Sequence, residues 1–593
     1  MSKESLLNFI RFGYWQFPFL KKRGTGWEQS AHRLLQTAVL GLISGLATAL
    51  PAQSAENIYF DYGFFGRVLP VSSLEKFAAD GTVDTDLAPY ISGLSPTTQE
   101  RFRTLLSTPI TELGPEVPKE ISDPFAFSQW LRTPIGDIAL TSMGLLIETE
   151  ARQNGQLALR SAMILATADP AGLSLINFIR FYPTGGIRLN LPQILALADA
   201  IDTNIETTEY LVDAAMQLSA AAAAAEPDLD YSALPVLAET PQFEITQRSL
   251  TLRDSQRDRA YPVDLYFPED LNAVPGPIPV MVFSHGYGDT RINPESVIAA
   301  QTLAAQGFLV AIPEHIGSNA AFQDDLAIGL THESFEVMEF INRPLDIRFL
   351  LDTLEQQNAT EFQGRLQLEQ VGIVGESFGG YTALMTAGAT IDVARLERQC
   401  DLEAEFEPDT VNVALLIQCR VLELVELPEA MQQLTNGSLV DDRISLVIAL
   451  APLTNLFGEN GMNPIQIPVV IAGGDYDVAT PIVLEQLTAF QWLTTPQKYF
   501  YLAQNRSHTS ALTRIILDQI YPKENLTESF YETEEWFFSL TNSLIIAHGK
   551  VHLLDDKSYY PYLTSSYVEV NSSEPKRIHL LRSFPDDFYL LAD

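Results

Sequence analysis

Five consecutive residues, Gly375-Glu376-Ser377-Phe378-Gly379, carry the clearest chemistry in this chain. They follow an apolar run, 371–375, that reads as a strand, and they open a stretch patterned as a helix. A serine on so tight a strand-to-helix turn leaves no room for side chains two positions either way. The turn then holds the hydroxyl out at the carboxyl end of the strand, against a helix N-terminus. The plainer alternative is a glycine-rich helix start with a capping serine.

A serine hydroxyl is a weak nucleophile and needs a base, itself oriented by a carboxylate. Four histidines follow Ser377, namely His508, His548, His552 and His579. His508 sits in a loop just past the predicted strand 498–502, where a base could reach Ser377; the other three read as surface or packing residues of the C-terminal extension. For the carboxylate, the predicted strand 469–472 runs into Gly473-Gly474-Asp475-Tyr476-Asp477, with Pro481 opening a helix. Asp477 is favoured as the orienting acid, and Asp475 as a turn cap. The oxyanion formed on attack needs N–H donors already in place. One is the backbone N–H of Phe378. The other is assigned to Tyr287, in the loop His285-Gly286-Tyr287-Gly288-Asp289 that follows a predicted strand at 280–284; an ordinary tight turn is the alternative there.

The elements that must position these residues begin near residue 240. Alternation predicts an antiparallel pair at 247–252 and 261–267. Short apolar strands then alternate with helices: strands at 280–284, 308–313, 371–375, 444–449, 469–472 and, last, 498–502; helices at 294–306, 335–357 and 377–389. Unbroken apolar strands between helices predict an α/β domain over 241–593, a doubly wound and mostly parallel sheet covered on both faces. Residues 391–440 interrupt the alternation and read as an inserted cap. Leu415, Leu416, Ile417, Val421, Leu422, Leu424 and Val425 would face the opening, and Asp401, Glu403, Glu405, Glu407 and Asp409 would face solvent.

Ahead of this, residues 56–240 read as a separate all-α domain with a linker. Ser95-Pro96, Thr133-Pro134 and Asn190 with Pro192 each have the form of a helix start. No cluster there points to chemistry. Residues 1–55 combine a basic region, an uncharged apolar run at 34–50 and a small-residue exit. That is the layout of a secretory signal. An uncleaved membrane anchor and a buried cytosolic helix remain open, since 17 residues are marginal for a bilayer. Export would permit a Cys400–Cys419 disulfide; two buried thiols are the alternative.

The chain has 593 residues, with 37 Lys+Arg against 75 Asp+Glu and a formal net charge of −38. Such acidity repels phosphate backbones, which argues against nucleic acid as a partner. Neither cysteine lies in a C-x-x-C pair, and no metal or cofactor is expected.

The segments VMVFSHGYGDT, FLVAIPEHIGS, GESFGGYTAL, GGDYDVATP and NRSH resemble the α/β-hydrolase superfamily, closest to the platelet-activating-factor acetylhydrolases and the dienelactone-hydrolase-like esterases, over about residues 240–520. The resemblance implies a nucleophile at Ser377, an acid at Asp477, a base at His508, and oxyanion donors at Tyr287 and Phe378. Glu314-His315 also resembles that branch, with no role beyond shaping the pocket wall. Residues 56–190 resemble a helical domain of unknown function that precedes such hydrolases in some bacterial proteins. The 391–440 insertion departs from the acetylhydrolases. The implied function is a serine esterase acting on lipid or other carboxylic esters, exported or anchored through residues 34–50. A serine peptidase on the same triad and a non-catalytic exported binding protein are the alternatives.

Overall fold

Nine strands form the main sheet of the computed structural model, which describes residues 54–62, 65–112, 122–401, 406–407, 409–508, 526–572 and 577–584. In chain order they are β5 (Ile245–Asp254), β6 (Arg259–Pro268), β7 (Ile278–Ser284), β8 (Leu309–Pro313), β9 (Leu366–Glu376), β10 (Ile444–Leu450), β11 (Val469–Gly474), β12 (Lys498–Ala503) and β13 (Ile578–Leu581). Their order across the sheet is β13-β12-β11-β10-β9-β7-β8-β6-β5. From β8 through β12 every pairing is parallel. At one edge β5 and β6 pair antiparallel, as the alternating pattern predicted, and β6 in turn pairs antiparallel with β8.

The other edge differs from expectation. Strand 498–502 is not the last, because β13 from the C-terminal extension pairs antiparallel with β12. Four residues are too few to show a strand period. With β13 in place, His579 is a buried sheet residue, and His548 is buried with its Nε2 3.0 Å from the Tyr501 hydroxyl. Both are packing residues rather than surface ones.

β7 and β8 are buried along their whole length, and most of β9, β10, β11 and β12 is buried too, with Glu369 and Gln370 of β9 exposed. Helices Glu339–Glu361 and Phe378–Thr386 cover one face. Pro294–Ala305 and Leu526–Leu554 cover the other, where Phe283, Val374, Ile448 and Val470 pack against Leu544 and Ile545. All of the loops that carry the expected site residues leave the carboxyl ends of β7, β9, β11 and β12, which is where an open parallel sheet presents its crevice.

The segment expected to be helical throughout also holds a small sheet of its own. β1 (Asn57–Tyr62), β2 (Phe65–Pro70), β3 (Ile147–Thr149) and β4 (Gly186–Asn190) associate in the order β2-β1-β4-β3. Strands of three to six residues, with β3 and β4 each set apart by long helical stretches, leave little periodicity to read. The helix starts are where the caps placed them: Ser95, Thr133 and Asn190 accept the N–H groups of Thr98, Gly136 and Gln193. The last of these helices runs unbroken from Leu191 to Ala225. It packs on β13 and on the turn Ile482–Leu487 of the α/β region. From Ser54 onward the chain is one compact unit, so the change of pattern near residue 240 is not a gap between bodies.

The expected leader or anchor lies, save for residues 54 and 55, outside the described residues. Among the described residues no helix is long and apolar enough to cross a membrane.

Candidate active site

Ser377 follows the last residue of β9 and precedes the helix Phe378–Thr386, with φ 56° and ψ −117°. Left-handed φ at a non-glycine residue costs of order 1–3 kcal/mol and persists only where the surroundings impose it. Here the Ser377 N–H donates to the Leu450 carbonyl at 2.9 Å, and its own carbonyl accepts from Gly380 and Tyr381. Side chains could not be fitted around it. A Cβ on Gly375 would overlap the Gly379 carbonyl, one on Gly379 the Ser284 carbonyl, and one on Gly380 the ring of Pro452. The glycines are thus dictated by close approach of backbone to backbone. Ser377 is 7 % exposed.

Asp477 and His508 meet at the ends of β11 and β12. His508 Nδ1 lies 2.7 Å from Asp477 Oδ2. Asp477 is itself held: Oδ1 accepts the N–H groups of Ala479 and Thr480, and Oδ2 accepts the Thr480 hydroxyl at 2.8 Å. That hydroxyl also lies 3.2 Å from His508 Nδ1 and 3.2 Å from the carbonyl of Ala451, the residue after Leu450. Leu450 and Ala451 therefore tie the serine turn and the Asp477–His508 pair to one piece of backbone. Asp475 faces elsewhere and accepts the Arg506 N–H at 3.2 Å. Among the described residues no hydrogen bond joins His508 to Ser377. Such bonds are often long in the absence of substrate.

Burial alone would lower the His508 pKa. The Asp477 carboxylate on Nδ1, with help from Glu376, outweighs it and raises the imidazole to about 9. Glu376 is the residue that sequence reading passed over as the variable position of the motif. Its carboxyl is pushed up to about 7 by burial and by the like charges of Asp289, Glu295 and Asp477, against the pull of His508. With Asp477 and His508 it lines a cavity of about 180 Å³. This cavity runs from the crevice between the sheet and helix Leu526–Leu554, past Val374, Ile448 and Ile545.

The loop after β7 passes directly over the serine: a Cβ on Gly286 would lie 3.4 Å from Ser377 Cβ and 3.0 Å from Glu376 Oε2. Tyr287 and Phe378, the two expected oxyanion donors, are thus brought to one place. Phe378 is the first residue of its helix, so its N–H has no partner within the helix. The Tyr287 side chain turns away and donates to Gln323 and the Ser334 carbonyl. Glu314 and His315 support this loop. Glu314 accepts from Thr290, Arg291 and Asn319, and His315 Nε2 lies 2.8 Å from Ser284 Oγ.

The insertion packs beside the elbow. Leu415, Val421 and Leu424 are buried in the core that holds Phe335 and Phe378, whereas Val425, expected on the same apolar face, is 44 % exposed. The tight 3₁₀ turn over Cys419–Glu426 rotates it outward. Arg420, buried among them, donates to the Phe335 carbonyl and pairs with Glu333 and Glu423. Cys400 and Cys419 form a disulfide across the insertion. Of the acidic residues, Asp401 and Glu407 are exposed and Asp409 is half-buried; Glu403 and Glu405 lie outside the described residues. Val411 and Val413 from the insertion, Ile201, Ile205 and Val212 with the polar Asn204, Thr208, Glu209 and Asp213 from the helix Leu191–Ala225, and the segment from Asp475 to Val478 line a groove of about 580 Å³. The contribution of that helix was not foreseen, because it comes from the half of the chain that shows no chemistry.

Two family models match the chain. Residues 54–190 match the family described as alpha/beta hydrolase of unknown function (DUF1400). Residues 263–339 match platelet-activating factor acetylhydrolase, isoform II. The second match takes in β7, the Tyr287 loop and Glu314-His315, and stops before Ser377, Asp477 and His508. Comparison with curated proteins finds no match. The fold is that of the α/β-hydrolases, the chain resembles platelet-activating factor acetylhydrolase, and the two matches support a hydrolase.

Proposed function

We propose that this hydrolase is a serine esterase that cleaves carboxylic esters, with lipid or phospholipid esters as its substrate class. The observation that carries the reading is the 2.7 Å contact of His508 with Asp477, tied through Thr480 and Ala451 to the backbone that holds Ser377 in its left-handed turn.

In this reading Ser377 Oγ adds to the ester carbonyl carbon while its proton passes to His508 Nε2. Asp477 on Nδ1 fixes the tautomer and stabilises the imidazolium. The carbonyl oxygen takes the negative charge and is met by the N–H groups of Phe378 and Tyr287. Collapse breaks the bond to the alcohol oxygen, which leaves with the proton from His508. Water then adds to the acyl-serine by the same route, releasing the acid and restoring Ser377. No step calls for a metal or cofactor.

The groove between the insertion and helix Leu191–Ala225 supports a substrate with an apolar part, as valines and isoleucines line it beside Asp477, together with the polar Asn204, Thr208, Glu209 and Asp213. The Cys400–Cys419 disulfide supports an oxidising compartment, and hence export directed by residues 1–55. The test is turnover of p-nitrophenyl esters from acetate to palmitate by the wild type and Ser377→Ala. The wild type should hydrolyse part of the series and the variant none of it above background; equal rates would refute the reading.

A further inference from the structure

Beside the crevice lies a buried cation that no step above uses. Arg343, in the helix Glu339–Glu361, is wholly inaccessible. Its guanidinium donates to the carbonyls of His285 at 2.7 Å and Gly286 at 3.2 Å, and twice to Ser318 Oγ. Its face lies 4.2 Å from the centroid of the Phe378 ring. The peptide that carries the Tyr287 N–H and the ring of Phe378 therefore both rest on this one side chain.

The Gly286 carbonyl is the informative partner. It belongs to the same peptide unit as the Tyr287 N–H. In a planar trans peptide the C=O and N–H point in opposite directions, so a bond that fixes the oxygen also aims the hydrogen. A second donor holds the same oxygen. His285 Nε2 accepts the His315 N–H at 3.0 Å, which leaves the proton on Nδ1, 2.8 Å from the Gly286 carbonyl. We propose that Arg343 is a positioning residue for the oxyanion hole. By gripping the carbonyls of His285 and Gly286 it aims the Tyr287 N–H group at the oxygen of the tetrahedral intermediate, and by stacking on the Phe378 ring it braces the helix start that presents the second donor.

The charge is balanced nearby. Glu339 lies 3.8 Å from Arg343 and shares Ser318, while Arg259 bridges Glu339 and Asp346. Burial lowers the Arg343 pKa to about 10, opposed by Glu339, so the guanidinium stays charged at neutral pH. Such a buried and paired group is costly to assemble. Plain packing would not require its two bonds to these particular carbonyls.

This inference rests on the esterase reading, and the experiment separates the two. Arg343→Lys keeps the charge but cannot span both carbonyls and Ser318. Ser318→Ala loosens the guanidinium without touching a charge. For each variant and the wild type, kcat and KM are measured on one ester. Inhibition by an alkyl trifluoromethyl ketone is measured alongside, because addition of Ser377 to the ketone places an oxyanion in the hole. Loss of preorganised donors costs up to about 10²–10³ in kcat. Arg343→Lys should lose about 10²-fold in kcat with KM within about threefold, and weaken the ketone by a matching factor. Ser318→Ala should move both readouts the same way by about three- to tenfold. If the wild type turns over esters, and the folded variants lose only melting temperature while kcat and ketone affinity hold, Arg343 is merely structural and the inference fails alone. Should Arg343→Lys not fold, Ser318→Ala decides by the same two readouts. No wild-type turnover of any ester overturns the esterase reading and this inference with it.

Discussion

His508 Nδ1 and Asp477 Oδ2 stand 2.7 Å apart, with the Thr480 hydroxyl bridging them to the backbone beside the serine turn. Two residues 31 apart in sequence are thereby made one unit. Removal of either should therefore be nearly as damaging as removal of both. His508→Ala and Asp477→Asn are each expected to lower kcat by about 10³-fold or more, and the double variant to be little worse. Asp475→Asn should be mild by comparison. Steady-state kinetics on a single p-nitrophenyl ester check this, and a crippled Asp475→Asn beside a mild Asp477→Asn would reverse the assignment of the acid.

The pH profile has a definite sign. His508 must be neutral to take the serine proton, so kcat/KM falls as pH drops below its pKa. Asp477 and Glu376 raise that pKa to about 9 against the effect of burial. The acid limb should lie above the ordinary imidazole value of about 6.5. Glu376→Gln removes one of the raising charges, so the limb should move to lower pH. Since Glu376 itself titrates at about 7, the wild-type limb belongs to the pair and not to His508 alone. A limb that Glu376→Gln leaves in place would show that Glu376 does not act on His508.

The same shift makes a stability prediction. A group whose pKa is raised on folding contributes stability that is full below its unfolded value, near 6.5, and lost as pH climbs through about 9. Urea midpoints for the wild type should fall between pH 6.5 and 9 more than those for His508→Gln, in which this contribution is absent. Parallel curves would contradict it.

The elbow glycines can be tested against a glycine that is not confined. Gly379→Ala drives a methyl into the Ser284 carbonyl and should cost about 3 kcal/mol or more, with loss of activity. Gly93 has nothing within 4 Å of the same position, so Gly93→Ala should be neutral or stabilise by up to about 1 kcal/mol. Chemical denaturation of the two variants makes the comparison.

The serine turn was legible because close backbone approach demands glycines at fixed offsets from the serine and the sequence displays them, although the Ser284 and Pro452 atoms that crowd Gly379 and Gly380 come from distant chain. The parallel strands were legible because burial on both faces leaves unbroken apolar runs. Other parts depend on distant chain and leave no local mark. Glu376 occupies a variable position of the motif and gains its meaning from Asp477 and His508. Arg343 is one arginine in a helix until the fold lays the His285–Gly286 carbonyls against it. β13 and the four short strands of the N-terminal region are too brief to show a period. Nothing within the helix Leu191–Ala225 says that it will wall a groove beside Asp477.

If that groove seats the acyl chain, both of its walls should set chain-length preference. Ile205→Trp fills it from the N-terminal helix, and shortening of 391–440 removes the opposite wall. Each should change the ranking of kcat/KM across acetyl, butyryl and octanoyl esters in a folded protein. Parallel losses for all three esters would mean that the segments only cover the sheet.

The central claim is that Ser377 is the nucleophile. Its most direct test is labelling of the purified chain with a fluorophosphonate probe, followed by location of the modified peptide. The account predicts one label on Ser377, none on Ser377→Ala, and strongly slowed labelling of His508→Ala. Undiminished labelling of Ser377→Ala would contradict it.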